Sequence, residues 1–343
     1  MLIDRHRSPL ASRRAYRLGL GVGLATAIAY GLGLPMAFLV ILLTAVLLSN
    51  PAPPPNVKAA LLLIVVMLVT CAWGLLLGPV LAHVSVAGVL LMLLGVGIAS
   101  YLATDPTNAL IASLLVLGST TIAVVARQSS AAAVILVQLM VGSIVAAIVI
   151  SHLCHLLFPE DGPVQRPLAA PPAAGVAGWI AVRAAIIMLP PILLALANPG
   201  SYLMLLMKGA ALSQQVEQSR GRLMARELVL STIIGGAAAL AVWTLLRLWP
   251  GLLLFTLLMG LAALLVARPM FGAVQSRFRF EHWQNVLTTA IILIGPAVTD
   301  SATGVDIDRQ MMIRLLTFLV LVVYAAAMVE LLDGWRARRR VPA

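Results

Sequence analysis

The chain has 343 residues, of which 62% are apolar and only 10% charged, whereas about a quarter of an ordinary soluble domain is charged. Such proportions exclude a soluble enzyme, a disordered chain and a collagen-like fibre. Continuous rather than alternating apolar runs also speak against a membrane β-barrel. The net charge of +11 would suggest nucleic acid in a soluble protein. Here the basic residues stand at the ends of apolar runs, where they set orientation, so no nucleic-acid partner is expected.

A membrane helix takes about 20 mostly apolar residues, and Pro and Gly breakers divide the sequence into twelve predicted spans. Five arginines between Met1 and Arg17 precede the first apolar run, a pattern resembling a signal peptide. More spans follow and no clear cleavage site ends the run, so it reads as an uncleaved first helix. The first half holds spans at 17–33, 36–49, 58–79, 83–102, 108–126 and 131–155. The second holds 178–197, 201–213, 226–246, 250–267, 284–300 and 312–333. The predicted organisation is therefore a six-helix membrane region over 1–157, a Pro-rich cytoplasmic linker over 158–176, and a second six-helix region over 177–343.

Twelve spans make a testable statement about charge. With the N-terminus inside, nineteen of the 23 Lys and Arg residues fall on the cytoplasmic side, and only Arg127, Arg247, Arg309 and Arg314 fall outside. That bias is the one cytoplasmic loops carry, and it places both termini in the cytoplasm.

The halves resemble each other. Each opens with a basic residue and a long span (Arg17, Arg183), continues through a Pro/Gly break into a short span, and sets a basic residue before the third (Lys58, Arg226). The fifth and eleventh spans align without gaps: Asn108 and Gly118 each stand 177 residues before Asn285 and Gly295. Six spans per half is an even number, so the repeats share one orientation and their pseudo-two-fold runs along the membrane normal.

No His-Glu-x-x-His, Gly-x-Ser-x-Gly or Walker A motif occurs, so neither an enzyme nor an ATP-driven pump is expected. His152-Leu-Cys154-His155 is the nearest metal-like cluster, and it lacks the further ligands a site needs. Cys71 and Cys154 form no disulfide framework. No metal or cofactor is expected.

Helix interruptions are the better pointer, because paired breaks in two halves mark transporter sites. Gly118-Ser119-Thr120 and Gly295-Pro296 form one pair and are taken as substrate-binding candidates. The short spans entered at Pro35 and at Pro199-Gly200 form a second. A broken helix would present free N–H groups to a carboxylate. Asn108 and Asn285, opening the fifth and eleventh spans, are candidates for helix capping or ligand contact. Lys208, inside a short span, would snorkel to the cytoplasm or draw an anion into a cytoplasmic vestibule. No carboxylate falls at mid-span. Glu227, Asp300 and Glu330, just inside span ends, are the proton-coupling candidates.

The basic entry Arg13-Arg14-x-x-Arg17, the Ala/Gly/Leu-rich first span, the Gly33-Leu-Pro35 break with its short span, and the duplicated unit together resemble the fusaric-acid-resistance and aromatic-acid-exporter superfamily of bacterial inner-membrane proteins. The likeness is closest to a compact family of unknown function within it. The resemblance implies efflux of small aromatic or weakly acidic compounds, with a periplasmic membrane-fusion adaptor as partner. The larger members carry cytosolic domains, for which the 158–176 linker is too short. The expectation is an all-α protein with two parallel six-helix repeats, exporting a small organic anion across the inner membrane, with self-association open. The alternative is a non-transporting scaffold subunit of an envelope or efflux complex.

Overall fold

The computed structural model describes residues 8–105, 107–160, 174–215, 222–300 and 306–339. Twelve α-helices and no strands occur among them. They are α1 (Ser8–Gly31), α2 (Phe38–Ser49), α3 (Val57–His83), α4 (Ser85–Ala103), α5 (Ala109–Gln128), α6 (Ser130–Leu157), α7 (Ala174–Ala197), α8 (Pro199–Gln215), α9 (Arg222–Leu248), α10 (Leu252–Met270), α11 (Phe280–Asp300) and α12 (Ile307–Arg339). Eight of these (α3–α7, α9, α10 and α12) are long and apolar enough to cross a membrane. The chain has the build of a multi-pass helical membrane protein.

Each predicted span falls mainly on one helix; most ends move outward, but α1 stops at Gly31 and α2, α4, α5 and α10 begin one or two residues inside the predicted starts. The eighth, expected as 201–213, extends over 17 residues, so only α2, with 12 residues, is markedly short. Part of the 158–176 linker, residues 161–173, lies outside the described residues, and α7 already begins at Ala174. Prolines stand inside α3, α7 and α11 without ending them, whereas Pro269 comes one residue before the end of α10. In a membrane helix, neighbouring segments and local adjustment re-satisfy the backbone groups a proline frees.

The chain forms two compact units, and each takes helices from both sequence halves. Unit 1 comprises 1–64, 139–167 and 231–315. In it α1 packs on α2 and α10, α2 on α11, and α10 on α11. The α1–α10 contact is made by small residues: a Cβ placed on Gly19 would stand 2.9 Å from Leu264 Cβ and 3.1 Å from Gly260 O. Membrane helices approach this closely only where side chains are small, since dispersion contact replaces the missing hydrophobic drive. At the foot of α1, Arg14 and Arg17 both hold Glu160, which follows α6; Arg17 Nη2 donates to Glu160 Oε2 at 2.7 Å and Arg14 Nε to Oε1 at 2.8 Å. Arg17 is fully buried there.

Unit 2 comprises 65–138, 168–230 and 316–343. Within it α7 packs on α8 and α4, α8 on α5, and α4 on α5. Gly209 of α8 lets that helix lie over the Pro191 ring of α7, where a Cβ on Gly209 would stand only 3.3 Å from Pro191 Cγ. At the foot of α7, the buried Arg183 donates to Asp333 Oδ2 of α12 at 2.8 Å, and Trp179 Nε1 donates to Oδ1 at 2.9 Å.

Candidate binding pocket

The expected helix breaks at Gly118 and at Gly295-Pro296 do not occur. α5 and α11 run unbroken through them. A glycine costs a helix only about 1 kcal/mol, and a proline's lost hydrogen bond is absorbed locally in a packed membrane helix. No row of free N–H groups therefore faces a carboxylate at either place. The glycines serve close packing instead. A Cβ on Gly118 would stand 2.6 Å from Thr70 Oγ1 on α3, and one on Gly295 would overlap Phe38 Cβ on α2. Ser119 and Thr120 are buried, and both hydroxyls donate back to their own helix, to Leu115 O and Val116 O at 2.6 Å.

The break ahead of α2 is present. Gly33 takes φ +62° and Met36 φ +52°, so the chain reverses through two left-handed residues around Pro35.

The remaining candidates are scattered. Asn108 occupies the N-cap of α5, yet its side chain makes no cap; Nδ2 donates to Asp105 Oδ2 at 3.2 Å. Asn285 does not open α11 but lies inside it, fully buried, donating to Ser231 Oγ at 2.6 Å and Thr232 Oγ1 at 3.2 Å on α9. Lys208 does not snorkel: its side chain is wholly buried on α8, so it does not extend into an open vestibule. Asp300 is held by Arg314 Nη2 at 2.9 Å. Glu227 is half-buried near the start of α9, and Glu330 is exposed on α12. Asn285, Gly295, Pro296 and Asp300 belong to unit 1; Asn108, Gly118, Ser119, Thr120, Lys208, Glu227 and Glu330 belong to unit 2. His152 and His155 each meet a carbonyl of their own helix, and no group of three metal-ligating side chains occurs among the described residues.

A pocket that the sequence does not announce lies in unit 1, where α1 ends, α9 turns into α10, and α11 ends. Its volume is about 490 Å³, and Tyr30, Trp243, Arg247, Phe255, Leu246 and Val298 line it with the Pro250-Gly251 turn. Pockets of about 300–1,000 Å³ with apolar walls and a few aimed polar groups are the usual small-molecule sites. Tyr30 and Phe255 meet edge to face at 5.0 Å between centroids, and Tyr30 Oη donates to Gly295 O at 2.8 Å. Gly295 thus helps to place the pocket wall through its carbonyl, not through a helix break.

The polar end is formed by two donors one helical turn apart on α9. Trp243 Nε1 donates to Asp308 Oδ1 at 2.8 Å, and Arg247 Nη1 donates to Asp308 Oδ2 at 2.6 Å. An indole N–H and a guanidinium therefore grip both oxygens of one carboxylate, that of Asp308 in the first turn of α12. Arg247 and Asp308 are each 58% exposed, so their pair adds little to stability.

Residues 14–154 match a family described as "Protein of unknown function (DUF2955)". The match spans nearly all of α1 to α6 and agrees with the expected likeness to a family of unknown function. No curated protein and no solved structure matches the chain.

Proposed function

We propose that this protein is an inner-membrane secondary exporter of small aromatic or weakly acidic organic compounds, with twelve spans in two parallel six-helix repeats. The duplication is supported by the helix pairings. Replacing each helix by the one six places along the chain turns the pairs α1–α2, α1–α10, α2–α11 and α10–α11 into α7–α8, α7–α4, α8–α5 and α4–α5. The ion pairs correspond too: Arg17 with Glu160 joins the first helix to the end of the sixth, as Arg183 with Asp333 joins the seventh to the twelfth.

One observation carries the substrate class: a carboxylate is already held by Trp243 and Arg247 at the mouth of an aromatic-lined pocket. An aromatic acid presents that carboxylate on a ring that Tyr30 and Phe255 suit. Because the Arg247–Asp308 pair is exposed and weak, an incoming carboxylate exchanges with Asp308 at little cost. With both termini cytoplasmic, this end of unit 1 faces away from the cytoplasm and is where cargo leaves. An inside-negative potential favours anion exit by about 2.3 kcal/mol per charge per 100 mV, so no mid-membrane carboxylate relay is required.

The test is flux of benzoate and related acids in proteoliposomes under a set potential. Wild type is expected to carry the acid but not its neutral amide. Arg247→Gln is expected to lower the rate about tenfold or more, the loss of one charge-assisted hydrogen bond. Absence of potential-driven flux of any aromatic acid overturns the reading.

A further inference from the structure

The other end of α10 carries a second pocket, unrelated to the first in chemistry and position. The segment from Phe271 to Arg279 folds back on the helix end. Gly272 takes φ +78°, and Ala273 and Val274 donate to Arg268 O at 2.8 and 3.2 Å. Phe278 stacks flat on His282 at 4.1 Å, and Trp283 Nε1 donates to Ser276 Oγ at 3.0 Å. These contacts hold open a cavity of about 480 Å³ whose walls include Arg268, Arg277, Phe278, Trp283 and Leu265. Neither guanidinium makes an ion pair or side-chain hydrogen bond among the described residues.

An exposed apolar stripe leads into this cavity. Leu253, Leu257, Leu261 and Leu265 recur every fourth residue along α10 and are each between 51% and 75% exposed. At 1.5 Å per residue the stripe is about 18 Å long, close to one leaflet of a hydrocarbon core about 30 Å thick. Leu265 belongs to both the stripe and the cavity wall. An apolar track of one leaflet's length thus ends in two guanidiniums without acidic partners and an indole.

We infer that α10 and the 271–279 loop form a binding site for one anionic phospholipid, its acyl chain along the leucine stripe and its phosphate between Arg268 and Arg277. Guanidiniums match phosphate geometry, basic pockets at helix ends take anionic headgroups, and tryptophan favours the headgroup level. The inference stands apart from the exporter reading, since it uses no residue of the first pocket.

The full chain, delipidated in detergent, is offered phosphatidylglycerol and phosphatidylcholine in equal amounts, and bound lipid is counted by native mass spectrometry. Phosphatidylglycerol is expected to be retained about thirtyfold over phosphatidylcholine, as two basic residues at a membrane surface would give. R268Q/R277Q is expected to abolish that preference, and R268K/R277K and the distant R309Q to keep most of it. An unchanged preference in R268Q/R277Q, or an equal loss in R309Q, overturns the proposal. Should R268Q/R277Q fail to fold, wild type alone decides: no preference over phosphatidylcholine overturns the site. Displacement by an equal concentration of glycerol 3-phosphate overturns the lipid in favour of a free phosphate.

Discussion

Single residues govern how this protein is held together, and Glu160 is the clearest case. Its side chain is 4% exposed and lies between Arg14 and Arg17. Burial works against its charge, but the hydrogen bonds and charges of Arg14 and Arg17 outweigh burial and hold the carboxyl below its usual range. A carboxyl lowered on folding contributes stability above its ordinary titration range and loses that contribution as pH falls through the lowered value. The thermal midpoint in detergent is therefore expected to drop on acidification below the ordinary glutamate range, and Glu160→Gln is expected to flatten that part of the profile. At neutral pH Glu160→Gln leaves Arg17 buried without its partner, a loss of about 3–5 kcal/mol. A midpoint equal to wild type at neutral pH would show that the pair is not buried in solution.

The two aligned glycines make a sharper contrast. The obstacle at Gly118 includes the Thr70 hydroxyl, which a second substitution can remove; the obstacle at Gly295 is the Cβ of Phe38. Gly118→Ala is expected to destabilise and to be partly rescued by Thr70→Ala, whereas Gly295→Ala is expected to destabilise without rescue by Phe38→Ala, which keeps that Cβ. Overpacking of this kind typically costs about 1–3 kcal/mol. A double-mutant cycle on the thermal midpoint reads the coupling directly; coupling at Phe38 equal to that at Thr70 contradicts the geometry.

At the scale of elements, helix existence was legible and helix interaction was not. Pro35, Pro51 to Pro55, Pro199-Gly200 and Pro250 separate apolar runs, and each marks a real boundary. Pro296 looks the same in sequence but lies within α11, because its effect is one missing hydrogen bond that the buried surroundings of α11 absorb. The first pocket was illegible for a different reason. Trp243 and Arg247 meet Asp308 across 65 and 61 residues of chain, and no periodicity records a contact between helices. Three of the four basic residues that the predicted orientation sets apart are tied to acceptors distant in sequence: Arg127 donates to Leu196 O, Arg247 to Asp308 and Arg314 to Asp300. The turn ahead of α2 gives this scale its own test. Gly33 at φ +62° is strained by any Cβ, at about 1–2 kcal/mol, with Asn the mildest replacement. Gly33→Val is expected to lower the thermal midpoint more than Gly33→Asn, and equal effects would mean that the turn relaxes.

At the scale of the whole molecule the number of crossing helices sets the orientation of the two halves. α1, α2, α8 and α11 fall outside the eight that length and apolarity alone assign to the membrane. α2 and α11 are the most enclosed of these: 11 of the 12 residues of α2 are buried, and so is every residue of α11 from Asn285 to Ala297. A helix surrounded by other helices needs neither a long apolar run nor a lipid-facing surface, so composition underrates it. If all twelve cross, the loops holding Thr107 and Ala273 lie on the same side of the membrane. If α2 and α8 dip in and return, every segment between them is inverted and these two loops lie on opposite sides. Cys71 and Cys154 are buried and can be replaced to give a background for Thr107→Cys and Ala273→Cys. Labelling intact cells with an impermeant maleimide is expected to leave both positions unmodified, and to modify both once the membrane is opened. Reaction of Thr107→Cys in intact cells, with Ala273→Cys still protected, would remove α2 and α8 from the count. It would also break the even number of spans on which parallel repeats depend, because each half would then hold five crossings and the two repeats would have to be inverted.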